Sequence, residues 1–264
     1  MVVKFDKSKS IFKLYIKNMF NSTEIEKINN KWREMEYILS SNDFNYQFLF
    51  DNNHIKEIEH QVGRYLNMQK IFTDLDINGK NSIKGDVVEF GTWQGLGLIY
   101  FSRLLGDNIN NRKIIGIDSF EGLPHNSTIW RKGLFSNTEI ESVFTNFNKY
   151  ADQRFCRDNI LLIKGWFNSV NVKTLLENQV KKIALIHFDA DLGSSTTEAL
   201  TLVEPYLLKY KEPVYFLFDD WGCHPDEVPA AFTSWVQQFT KKIPITVEYV
   251  SSTRFTRYFK INFN

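Results

Sequence analysis

The sequence predicts an α/β fold: a doubly wound, largely parallel sheet over residues 81–264, preceded by a helical cap over residues 1–80. Three observations carry this. Beyond Gly85, short apolar runs alternate with helix-patterned segments. The runs are nearly continuous in apolar residues, which suits strands covered by helices on both faces. The first run ends in a glycine-rich turn and a helix pattern follows at once, the punctuation of a βαβ unit.

In chain order, Thr23 and Glu26 have capping-box spacing ahead of a polar helix running to about Leu39. The stretch SSNDFNYQFLFDNN reads as a loop. A second helix follows Asn53, with Ile55, Ile58, Val62, Tyr65 and Leu66 recurring on one face and Ile71, Phe72 and Leu75 extending the apolar content. The strands are expected at Val87–Phe90, Lys113–Asp118, Ile160–Lys164, Ile183–Asp189 and Val214–Asp219. Helices are expected near Leu96–Leu105, Glu139–Tyr150, Val172–Asn178, Thr196–Leu208 and Glu227–Phe239. Ile245–Val250 and Arg254–Ile261 are close enough in sequence to pair antiparallel at the sheet edge. The apolar face of the first 80 residues needs a partner surface, so these residues are candidates for a lid or a homo-oligomer contact.

Bulk properties exclude several classes. The net charge is +1, without the basic surplus that a sequence-independent grip on nucleic acid needs. Cys156 and Cys223 form no disulfide framework or CxxC pair, which fits a reducing, cytoplasmic setting. The N-terminus lacks the clean apolar stretch and cleavage site of a signal peptide. No run approaches the roughly 18 apolar residues of a membrane span. The amphipathic stretch 8–20 is read as a helix packed on its own domain.

The glycine turn reads VVEFGTWQGLG, so Glu89, Gly91, Gly95 and Gly97 form E-x-G-x-x-x-G-x-G. Glycines let the backbone turn sharply and approach a ligand. Asp118 ends the next strand, where an acidic side chain can accept hydrogen bonds from ribose hydroxyls. A nucleoside-containing cofactor fits. The dinucleotide spacing G-x-G-x-x-G does not, which argues against a nicotinamide-dependent oxidoreductase. S-adenosylmethionine carries no phosphate and suits this looser, acidic loop, with Glu89 expected to help hold its ammonium group.

Two further strands end in acid: KIALIHFDADLGSS in Asp189 and Asp191, and VYFLFDDW in Asp219 and Asp220. Ligands of open parallel sheets bind beyond the carboxyl ends of the strands, so four carboxylates are expected at one edge of the cleft. Crowded carboxylates repel unless a cation intervenes, and oxygen ligands suit Mg²⁺. Asp189, Asp219 and Asp220 are the expected metal ligands and Asp191 the expected general base, with His224 its rival. His187, inside its strand, is expected to be a packed core histidine.

These segments resemble the macrocin O-methyltransferase family, metal- and adenosylmethionine-dependent enzymes that methylate sugar hydroxyls. The resemblance lies in GDVVEFGTWQG, IGIDSFEGLP, KGLFS, IKGWF, FDADLGSST and FDDW, in the family's order, over most of residues 60–240. It implies a Rossmann-like class I methyltransferase sheet. It places Glu89, Gly91, Thr92, Trp93, Gly95, Asp118, Ser119 and Asp189 around the cofactor, with Trp166 near the adenine. It implies Mg²⁺ on Asp189, Asp219 and Asp220, and Asp191 as base. The chain departs from the family where Gly193 and Ser194 replace a Tyr-Glu or similar pair. An acceptor with vicinal hydroxyls, a sugar of a glycoside, nucleotide-sugar or polysaccharide precursor, is expected. A catechol-like aromatic diol and a non-catalytic cofactor- or glycan-binding protein are the alternatives.

Overall fold

The computed structural model describes residues 25, 37–39, 41, 43–44, 55–75, 84–105, 112–154, 157–223, 227–253 and 255–264. Of the expected helix from Thr23 to about Leu39 only residues 25 and 37–39 are described, all helical; the amphipathic stretch 8–20, Cys156 and His224 lie outside the described residues, as do the side chains of Ile55 and Ile58. The elements are α1 (Ile55–Asp74), β1 (Asp86–Phe90), α2 (Leu96–Leu105), β2 (Ile114–Asp118), α3 (Ile140–Tyr150), β3 (Ile160–Lys164), α4 (Val170–Gln179), β4 (Ile183–Phe188), α5 (Gly193–Tyr210), β5 (Val214–Phe218), α6 (Val228–Phe239), β6 (Ile245–Ser252) and β7 (Arg257–Phe263). Among the described residues no helix is long and apolar enough to cross a membrane.

The α/β expectation holds. The seven strands run in the order β3-β2-β1-β4-β5-β7-β6. β1 to β5 are parallel, and β7 pairs antiparallel with both β5 and β6. The order reverses direction between β1 and β4, which opens a crevice at their carboxyl ends. Successive strand residues face opposite sides of a sheet, and the two cores follow that rule. Val87, Ile114, Leu185 and Leu217 pack with α1, α2 and α3. Val88, Ile115, Ile186 and Phe216 pack with α4, α5 and α6. In that second layer Phe188 stacks on Phe218 with ring centroids 4.6 Å apart.

α1 shares the first core through Val62, Tyr65, Leu66, Met68, Ile71 and Phe72. Four of its polar side chains are buried as well: His60, Gln61, Arg64 and Asn67 are each at most 9% exposed. The turn between β6 and β7 seats this helix. A Cβ on Gly63 would lie 2.2 Å from Thr253 Oγ1, so only glycine admits the approach. Asn67 donates to Thr256 Oγ1, and the His60 ring meets Phe255 edge-on at 5.3 Å.

Candidate functional site

Each parallel strand hands its chain to a loop at the same edge of the sheet. Four of those loops place a non-glycine residue in the left-handed region: Trp93 after β1, Phe120 after β2, Asp191 after β4 and Asp220 after β5. Such backbone costs about 1 kcal/mol or more per residue and gathers at ligand sites. The loops enclose a cavity of about 510 Å³.

The glycine turn is set by close approaches. Gly91 has φ +87°, and a Cβ there would lie 1.6 Å from the Asp189 carbonyl oxygen. Asp118 accepts from the backbone N–H groups of Thr92 and Trp93, both at 2.8 Å, and of Phe120 at 2.7 Å. It therefore holds the turn in shape while lining the cavity. Burial pushes its carboxyl up, and those three hydrogen bonds act against the shift.

Glu89 does not lie where the sequence suggested. It is 1% exposed, is not on the cavity wall, and meets His187 Nδ1 through Oε1 at 2.9 Å. Gly97 has no side chain because the Glu89 carboxylate fills that space: a Cβ there would lie 1.8 Å from Oε1. Burial, then the charge of Asp189, pushes Glu89 well above the usual carboxylate range. His187 is a core histidine as expected, and burial pulls it down to about 3.

Asp189, Asp191, Asp219 and Asp220 all line the cavity. Two residues of α1, which the sequence reading did not single out, enter this group. Arg64 Nη1 donates to Asp189 Oδ2 at 2.6 Å and to Asp219 Oδ2 at 2.9 Å. His60 Nε2 lies 2.5 Å from Asp219 Oδ1. Both oxygens of Asp219 are thus engaged, and its side chain is fully buried. Burial alone would push Asp219 up, but the charges of His60 and Arg64 outweigh it and hold the carboxyl below its ordinary value. The other three go the opposite way. Burial, then the charge of Asp219, raises Asp189 well above its ordinary value and pushes Asp220 up to about 6. Burial and the charges of Asp220 and Asp189 raise Asp191.

Three oxygen-bearing groups short of positive charge suit a hard divalent cation. With Arg64 and His60 in place, however, Asp189, Asp219 and Asp220 do not close to mutual ligand spacing. Among the described residues, the trio whose ligand atoms all lie within 4.8 Å is Glu89, His187 and Asp189.

Of the residues expected around a cofactor, Gly91, Trp93, Asp118, Ser119, Trp166 and Asp189 line the cavity, while Glu89, Thr92 and Gly95 stand behind its wall. The other lining residues include an apolar group on the loop after β2, namely Leu123, Trp130, Leu134 and Phe135. Phe135 meets Trp93 at 5.1 Å and Trp130 at 6.0 Å. The segments IGIDSFEGLP and KGLFS run through that loop, but none of these four residues was named for the site; the i, i+4 pair His60 and Arg64 was a readable signal, polar groups on a helix whose other periodic positions are apolar.

A family profile described as macrocin-O-methyltransferase (TylF) matches residues 60–255. The demethyldecarbamoylnovobiocin O-methyltransferase of Streptomyces niveus is 25% identical over 185 residues, covering 66% of this chain and 65% of that protein. The 8-demethyl-8-(2,3-dimethoxy-alpha-L-rhamnosyl)-tetracenomycin-C 4'-O-methyltransferase of Streptomyces olivaceus is 30% identical over 141 residues, covering 48% and 50%. The chain thus matches between half and two thirds of the length of these relatives. Among solved structures, the O-methyltransferase NovP has a TM-score of 0.58 at 21% identity, covering 77% of this chain and 81% of that one, which shows a shared fold.

Proposed function

The chain belongs to the macrocin-O-methyltransferase family, and on that premise we propose that it transfers the methyl group of S-adenosylmethionine to a hydroxyl of a sugar, with Mg²⁺ or another divalent cation at the strand-tip aspartates. One observation carries the reading. Asp189, Asp191, Asp219 and Asp220 converge on the cavity that Gly91 and Asp118 also line. A sugar acceptor is favoured by the rhamnosyl group in the name of one relative. The apolar wall of Trp130, Leu134 and Phe135 offers faces for a compact, weakly polar ring.

When bound, S-adenosylmethionine supplies an activated methyl group, and a divalent cation supplies an electrophile that stabilises a developing alkoxide. Asp189 and Asp220, with Asp219 beside them, would hold the cation. Asp191 takes the hydroxyl proton, a role its raised affinity for protons suits. Asp118 keeps the turn after β1 in shape for the nucleoside, with Ser119 and Trp166 alongside. The aromatic loop after β2 excludes water from the reacting groups.

Calorimetry with S-adenosylhomocysteine, then transfer from radiolabelled S-adenosylmethionine to nucleotide-sugars, methyl glycosides and catechols, tests the reading. Binding, and labelling of sugars that stops with EDTA, is expected. Labelling of catechols alone would replace the acceptor class, and turnover indifferent to EDTA would remove the cation.

A further inference from the structure

α1 presents His60, Gln61 and Arg64 to the cavity. His60 and Arg64 are committed to the aspartates. Gln61 is 5% exposed, and among the described residues its buried Oε1 has no hydrogen-bond partner. Native structures leave few buried acceptors unpaired. One on the wall of a ligand cavity calls for a donor that arrives with the ligand.

Position narrows the donor. Gln61 and Arg64 are three residues apart and share a face of α1. Arg64 reaches Asp189, whose carbonyl packs against Gly91. Gln61 therefore belongs to the end of the cavity where the glycine turn meets β4. The other end is built by Asp118, Ser119 and Trp166, past β2 and β3. With the nucleoside on Asp118, the Gly91 end receives the amino-acid end of the cofactor, whose α-ammonium is a strong N–H donor. Glu89, the sequence's candidate for that ammonium, meets His187 through Oε1, and its Oε2, unpaired among the described residues, lies off the cavity wall that Gln61 lines.

We propose that Gln61 takes this task, its side-chain oxygen accepting a hydrogen bond from the α-ammonium of S-adenosylmethionine. The inference rests on the cofactor reading above and adds a residue to it.

The test compares two ligands on the full chain by calorimetry. S-adenosylhomocysteine carries the ammonium; 5′-methylthioadenosine keeps the adenosine and thioether but lacks the amino-acid end. Gln61→Met keeps the side-chain length and removes the oxygen. It should weaken S-adenosylhomocysteine about 10-fold or more, the range of a charge-assisted hydrogen bond, and leave 5′-methylthioadenosine within about twofold. Gln61→Glu, which offers the ammonium a carboxylate, should bind S-adenosylhomocysteine at least as tightly as the unaltered chain. Equal weakening of both ligands by Gln61→Met, or none, overturns the assignment and leaves the cofactor reading standing. So does a 10-fold loss in Gln61→Glu. An unaltered chain that binds neither ligand sinks the cofactor reading and this inference with it.

Discussion

Arg64→Met tests the charge balance at the head of the site. The guanidinium bridges the tips of β4 and β5, at 2.6 Å from Asp189 and 2.9 Å from Asp219. Its side chain is 4% exposed, that of Asp219 is fully buried, and that of Asp189 keeps 24% open toward the cavity. Methionine preserves most of the apolar stem, so the loss is of charge and hydrogen bonds more than of packing. Removing one partner of a buried ion pair costs about 3–5 kcal/mol. The low end applies, because His60 still contacts Asp219 and Asp189 can turn toward solvent. About 3 kcal/mol corresponds to a melting temperature lower by roughly 6–12 °C in a domain of this size. The assay is a thermal melt at pH 7 in EDTA, repeated with millimolar MgCl₂. The variant's carboxylates have lost their built-in cation, so MgCl₂ should recover more stability in the variant than in the unaltered chain. A variant that melts within about 2 °C of the unaltered chain in EDTA would refute the claim that Arg64 balances the aspartates.

Asp191→Asn should lower turnover by about 10²–10⁴-fold, the usual yield of a general base, while calorimetry shows S-adenosylhomocysteine affinity unchanged. Gly91→Ala should abolish cofactor binding and lower the melting temperature, since the new methyl would meet the Asp189 carbonyl oxygen 1.6 Å away. Asp118→Ala should weaken S-adenosylhomocysteine binding and make the amides of Thr92, Trp93 and Phe120 exchange faster, because these three backbone N–H groups lose their acceptor. Asp220 has a folded-state pKa of about 6 against an ordinary 3.8, so the folded state binds its proton more tightly than the unfolded one. Its charge thus costs stability at pH 7, and the cation-free protein should melt at higher temperature as pH falls from 7 to 5. A steady decline over that window in EDTA would contradict this.

The sheet was legible because its evidence is local. Ile183–Phe188, but for His187, and Val214–Phe218 are apolar, and both are buried throughout, so no periodicity had to be resolved. The errors fall at element ends. The strands stop at Phe188 and Phe218, one residue short of expectation, where the chain leaves the ladder to place Asp189 and Asp219 in the site. α5 begins at Gly193 instead of Thr196, and its preceding residue, Leu192, offers no capping side chain to announce the start. α4 carried such a signal: Ser169 accepts from Val172 N and starts the helix at Val170, two residues before the expected start.

The site divides in the same way. The four aspartates could be read because each lies within three residues of the end of a strand whose direction fixes its end of the sheet. Glu89 could have been read better. It shares a strand face with Val87, which packs with α2, so its side chain points under that helix and not beyond the strand tip. Arg64 and His60 could not be paired with their partners at all. They lie 125 to 159 residues from Asp189 and Asp219, and helical periodicity reports which residues are buried, not against what. Yet they decide how charge is shared. They spend their positive charge mainly on Asp219, the deepest carboxylate, and leave Asp189, Asp191 and Asp220 raised on the cavity side. Asp219, with both oxygens engaged by His60 and Arg64, is the anchor that ties α1 to the strand tips.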